Sequence, residues 1–159
     1  AVRWPGRLEL LAVDGRDVLL DGAHNPAGAA TLATALDDLR PHLAGGRLTL
    51  VTASMADKDV DGIVAALGAA AAMDGATVIA TALDLQRALP AAELAARWRR
   101  HGLTANVVVE PDPEHALDRA LSEGDGPIVV AGSLYLVGAV RARLVDDPLL
   151  RDPVAVAAR

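Results

Sequence analysis

The sequence predicts an α/β domain: a mostly parallel sheet of about six strands, opened by an antiparallel hairpin and covered by helices on both faces. Three observations predict it. Short apolar runs alternate with longer stretches of helical periodicity. The later runs are apolar almost throughout, as strands buried on both faces require. Two runs near the start are separated by Asp14-Gly15, a turn signal between antiparallel strands.

The elements follow in order. Arg7 to Val13 reads as the first strand and Val18-Leu19-Leu20 as the second. Asp21-Gly22-Ala23-His24-Asn25-Pro26 breaks the pattern. Leu32, Leu36 and Leu39 then recur at helical spacing, so a helix runs from about Pro26 to Leu43, with the proline in its first turn, where a missing N–H costs nothing. Leu48 to Thr52 is a strand, Asp57-Lys58-Asp59 a polar loop, and Val60 to Met73 a helix. Thr77 to Ala80 is a strand, and a loop through Arg87 leads to a helix from Pro90 to His101. Asn106 to Val109 is a strand, and Pro111 and Pro113 open a helix to Leu121. Pro127 to Ala131 is the last strand, and Gly132-Ser133 leads into a helix ending near Leu144. The tail, with Pro148 and Pro153, reads as loose or as a short docked segment.

Composition bounds the function. The 159 residues suit one domain, without repeat, linker or internal boundary. At 52% hydrophobic residues the chain can build a core and is not disordered. No apolar stretch reaches the roughly 18–20 residues of a membrane-spanning helix. A net charge of −6 and 2% aromatics argue against a nucleic-acid partner held by phosphates or by base stacking. Without Cys there is no disulfide framework and no thiolate metal site, and a cytoplasmic protein is expected. The chain opens on Ala1 rather than Met, so a piece of a longer polypeptide is expected.

Ligands of parallel sheets bind beyond the carboxyl ends of the strands. That rule selects residues 21–26, 53–59 and 132–135. In the first, Gly22 lets backbone approach a ligand, Asp21 can accept from ribose hydroxyls, and His24 can donate to a phosphate or carboxylate. Equally, Asn25 or Asp21 can cap the helix and His24 can be a surface residue. Arg7, after Trp4-Pro5-Gly6, suits a bidentate phosphate contact, although a lone arginine at a strand start is more often solvated. Lys58 can meet a phosphate with Asp57 and Asp59 holding it, or Asp59 can simply cap the next helix. Ser133 can cap its helix or bind a carboxylate, and Tyr135 reads otherwise as a half-buried packing residue. No phosphate-binding Gly-x-x-x-x-Gly-Lys loop, no Gly-x-Gly-x-x-Gly and no Gly-x-Ser-x-Gly occurs, and the four His show no metal-ligand spacing.

Together these motifs resemble the C-terminal domain of folylpolyglutamate synthase/dihydrofolate synthase, within the Mur ligase family. The matching segments are Trp4 to Glu9, Asp21 to Pro26, Asp57 to Asp59, Arg87-Ala88-Leu89-Pro90 with Glu93-Leu94, and Gly132 to Gly138. Ala139 departs from the family's usual Glu. The resemblance implies a Rossmann-like sheet and an ATP-dependent ligase. Such an enzyme phosphorylates a folate or dihydropteroate carboxylate, and L-glutamate then attacks the acyl phosphate. By carry-over, Arg7 contacts the phosphates of ATP and Asp21 its ribose, with Lys58 assigned to the cofactor as well. His24 and Ser133, with Tyr135, look toward glutamate and the acyl phosphate as catalytic and substrate-binding residues. The resemblance places the P-loop and the Mg²⁺ ligands in an N-terminal domain of the same polypeptide and makes the isolated chain inactive. The alternatives are another Mur-type amino-acid ligase domain or a non-catalytic Rossmann-like binding module.

Overall fold

The computed structural model describes residues 4–102 and 106–146, so Pro148 and Pro153 lie outside the described residues. The first two strands, β1 (Glu9–Val13) and β2 (Arg16–Leu20), form the expected hairpin. Its two-residue turn has Asp14 at φ 49° and Gly15 at φ 77°, the left-handed pair that matches the twist of the flanking strands. β1 begins two residues later than Arg7 because Leu8, at φ 45°, is outside the extended region.

Four strand–helix units follow the first helix. Helix α1 (Pro26–Leu39) is succeeded by β3 (Thr49–Thr52), α2 (Val60–Gly68), β4 (Thr77–Ala80) and α3 (Ala91–Arg100). Then come β5 (Asn106–Val109), α4 (Pro113–Glu123), β6 (Ile128–Ala131) and α5 (Leu134–Leu144). Two predicted helices are shorter than their apolar periodicity. α1 gives way to a 3-10 turn at Arg40–His42, where Pro41 cannot donate to a helical ladder. α2 ends at Gly68, and a separate 3-10 turn, Ala71–Met73, follows. Asp37 of α1 caps that turn by accepting from Ala71 N at 3.2 Å and Ala72 N at 2.7 Å.

The sheet order is β1-β2-β6-β3-β4-β5, and every pairing except β1–β2 is parallel. Alternate strand residues face opposite sides. Leu19, Leu50, Val78 and Val129 meet α1, α2 and α3 in one buried cluster. Val18, Val51, Ile79 and Val130 meet α4 and α5 in the other. The result is three layers, with helices on both faces. β6, last in sequence, lies between β2 and β3. That insertion places the carboxyl ends of β2, β6 and β3 side by side. Among the described residues, no helix is long and apolar enough to cross a membrane.

Candidate active site

Three loops meet at that edge. The loop after β2 bonds its neighbours directly: Asp21 N donates to Val130 O at 3.0 Å, and Gly132 N donates to Ala23 O at 2.9 Å. Gly132 has φ 107°, and a Cβ there would collide with Ala53 O. Only glycine lets β6 leave the sheet this close to β3. The segment before β1 arrives at the same edge because β1 runs antiparallel to β2, pairing Glu9 with Leu20.

A cleft of about 650 Å³ opens between Trp4–Leu8, the 21–25 loop and the first turn of α1. Arg7 and Asp21 both line it. The Arg7 guanidinium is exposed and makes no hydrogen bond or ion pair among the described residues. Asp21 is buried at 9% exposure, and its two carboxylate oxygens accept from Leu8 N at 3.0 Å and Ala23 N at 2.9 Å. It therefore ties the Arg7 turn to the 21–25 loop. Asn25, not Asp21, caps α1, accepting from Gly28 N at 2.8 Å.

A second pocket, of about 160 Å³, holds His24, Lys58, Ser133 and Tyr135. His24 lies 2.7 Å through Nδ1 from the Gly22 carbonyl. A carbonyl only accepts, so Nδ1 carries the proton and Nε2 of the neutral ring is an acceptor. Ser133 is buried and caps α5, its Oγ accepting from Tyr135 N at 3.2 Å. The capping hydroxyl keeps its own proton to donate. Tyr135 is 64% exposed, so it is not the half-buried packing residue that its sequence position also allowed.

Lys58 is exposed in this pocket, and its two acidic neighbours do not hold it. Asp59 caps α2 by accepting from Gly62 N at 2.9 Å, while Asp57 pairs with Arg87 at 3.3 Å. The loop is strapped to residues 87–89 through Ala56 N to Arg87 O at 2.8 Å and Leu89 N to Ser54 O at 2.9 Å. Lys58 thus stands with Ser133, apart from the lining of the Arg7 cleft.

Two residues line both cavities, His24 and Leu134. Leu134 falls in the selected segment 132–135, but its place in the sequence assigned it no role of its own. Its signal is weak: a leucine 59% exposed at the first position of a helix that follows a site loop. Gly28 and Thr31 also line the larger cavity without having been anticipated, and Met55, inside the selected 53–59 segment, lines the smaller one. The edge offers groups that can meet an anion. It combines Arg7 and Lys58 with the amino ends of α1 and α5, which are capped by the neutral side chains of Asn25 and Ser133, so their dipoles favour an anion. Among the described residues no group of three His, Asp or Glu could hold a metal ion. The described residues therefore do not fit a Mg²⁺ site.

The family model described as Mur ligase, glutamate ligase domain, matches residues 6–134. The chain belongs to this family. This glutamate ligase domain is 34% identical over 146 residues to the folylpolyglutamate synthase of Lacticaseibacillus casei, covering 91% of the chain and 31% of the relative. A solved structure of the Mycobacterium tuberculosis folylpolyglutamate synthase complexed with ADP and AMPPCP has a TM-score of 0.72 and 34% identity to it, with 93% of this chain and 34% of that chain covered. A bifunctional folylpolyglutamate synthase/dihydrofolate synthase with Mn, AMPPNP and L-glutamate bound has a TM-score of 0.70 and 27% identity, covering 91% and 32%. The glutamate ligase domain spans between 15% and 33% of the length of the curated relatives it matches.

Proposed function

We propose that the domain serves an ATP-dependent ligase that joins L-glutamate to a folate or dihydropteroate carboxylate. The γ-phosphoryl group of ATP passes to that carboxylate. The glutamate amine attacks the acyl phosphate, an amide forms, and phosphate and ADP leave. One observation carries the reading: His24 and Leu134 form a wall shared by two cavities of different chemistry. The larger cavity, with the free Arg7 guanidinium, suits a nucleotide. The smaller, with Lys58, Ser133 and Tyr135, suits an amino acid. Relatives crystallised with ADP, AMPPNP and L-glutamate support both halves.

The residues then take definite roles. Arg7 pairs with phosphate oxygens, where developing charge is greatest. Asp21 holds the loop and has a remaining lone pair on each oxygen for ribose hydroxyls. Lys58, expected with the nucleotide, is assigned instead to a glutamate carboxylate, because it shares its pocket with Ser133. His24 lines both cavities, and its Nε2, an acceptor in the neutral ring, can take a proton from the attacking amine. An N-terminal P-loop domain of the same polypeptide supplies the phosphate cradle and Mg²⁺ in this proposal, and the isolated chain then has no turnover.

The test is ADP release by a polypeptide carrying both domains. Release should require folate or dihydropteroate together with L-glutamate. Ser133→Ala and Lys58→Met should each raise KM for glutamate about tenfold, as loss of one hydrogen bond to a charged group does. ADP release that ignores glutamate would overturn the assignment in favour of another Mur-type ligase. Absence of nucleotide and glutamate binding would favour a non-catalytic module.

A further inference from the structure

Arg7 sits in a turn of unusual backbone. Gly6 has φ 70° and Leu8, a leucine, has φ 45°. A leucine keeps that conformation only when its surroundings over-determine it. Arg7 N donates to Trp4 O at 3.1 Å, which closes the turn without anchoring it to the domain. The anchors are elsewhere. Leu8 N is held by Asp21, and Gly22 N donates to Gly6 O at 2.8 Å. Gly6 N donates to the Glu9 carboxylate at 2.8 Å.

Glu9 is itself held. Arg141 Nε, on the third turn of α5, donates to Glu9 Oε2 at 2.9 Å and Oε1 at 3.2 Å. The two side chains are only 18% and 11% exposed, unlike the solvated Arg87–Asp57 pair at 72% and 50%. Partial burial strengthens the pair and fixes its geometry. α5 also meets the turn directly, since a Cβ on Gly6 would stand 2.9 Å from Val137 Cγ1. The same helix begins at Ser133 in the smaller pocket.

We propose that Glu9 and Arg141 are positioning residues that lock the Arg7 turn onto α5 and so set the guanidinium for the nucleotide phosphates. The proposal rests on the nucleotide reading of the cleft. Neither residue lines the cleft, so neither contacts the ligand in this arrangement. Their effect passes through Gly6 to Arg7. Because α5 carries Ser133 at its start and Arg141 further along, one rigid element places parts of both cavities.

The test titrates the polypeptide carrying both domains with ADP. Arg7→Ala sets the reference loss, about tenfold in Kd for one guanidinium–phosphate contact. Glu9→Ala should weaken ADP to a similar degree. The Arg7→Ala/Glu9→Ala double variant should be no weaker than Arg7→Ala alone, because a device acting through Arg7 has nothing left to position. Glu9→Gln keeps an oxygen for Gly6 N–H and should recover part of the affinity. Losses that add in the double variant overturn the proposal, since the pair then acts on the domain and not on Arg7. A second measurement needs no ligand. In Glu9→Ala the Gly6 amide should exchange with solvent faster while Val51 and Ile79 in the sheet keep their rates. Unchanged exchange at Gly6 also overturns the proposal. If the two-domain parent binds no ADP, the nucleotide reading fails, and the exchange rates alone decide the brace.

Discussion

At the scale of single residues, the charged groups divide by whether backbone already uses them. Asp21 spends its carboxylate on two N–H groups, so it supports the fold as well as facing the cleft. Asp21→Asn can satisfy only one of them, and Asp21→Ala neither. Asp21→Ala should cost about 2–3 kcal/mol in urea unfolding, with Asp21→Asn between it and the parent. Arg16 has a similar duty at the opposite edge. Its guanidinium donates to Gly126 O at 2.8 Å, Leu121 O at 3.1 Å and Gly124 O at 2.7 Å, closing the carboxyl end of α4. Arg16→Met should lower stability by about 2 kcal/mol while leaving ligand binding intact. Nothing in the local sequence distinguishes Arg16, which caps through 105 residues of separation, from Arg7, which is left free.

At the scale of elements, helix starts were the most legible features. Pro26, Asp59, Pro113 and Ser133 each mark a boundary observed in the fold, because proline and short polar side chains act within a turn of their own backbone. Helix ends were less legible. α1 and α2 stop short of their predicted ends and give way to 3-10 turns, of which the second packs Ala72 and Met73 on the core while the first, Arg40–His42, buries nothing. The α4 cap gives a pH prediction. Asp112 accepts from His115 N at 3.0 Å and Glu114 N at 2.8 Å, and the His115 N–H above all holds its carboxyl below the ordinary value. A carboxyl depressed by folding contributes its stability above its unfolded value, about pH 4, and loses it as the pH falls through the folded one. The thermal midpoint should therefore drop on acidification below about pH 4. Asp112→Asn should remove part of that slope, read from melts at a series of acid pH values. The switch from β6 to α5 is more brittle. Gly132→Ala would force a Cβ onto Ala53 O and should destabilise by about 2 kcal/mol or more, with loss of glutamate binding.

At the scale of the whole molecule, two cores share one sheet. Leu36 is fully buried between α1 and its neighbours on one face, and Leu117 is 1% exposed on the other. Leu→Ala at either position should cost about 2–5 kcal/mol. Because both faces rest on the same strands, the two variants should unfold in single transitions of equal cooperativity. Trp98, 1% exposed in the first core, reports that transition by fluorescence, and a second transition seen by circular dichroism would show the faces to be independent. Trp4, 67% exposed at the cleft, should respond to ADP without responding to Leu117→Ala.

The sequence by itself determined the alternation of strands and helices, the hairpin, the starts of the helices and the loops that carry His24, Lys58 and Ser133. Those follow from local rules: periodicity, turn chemistry and caps act over a few residues. Which loops become neighbours was decided by tertiary structure. β6 enters between β2 and β3, so residue 133 meets residue 24 across more than half the chain. That insertion also separates Lys58 from Arg7, places Leu134 between the cavities and sets Arg141 against Glu9. No local pattern encodes such contacts. Strand order is chosen by the burial of two complementary faces, a property of the sheet as a whole.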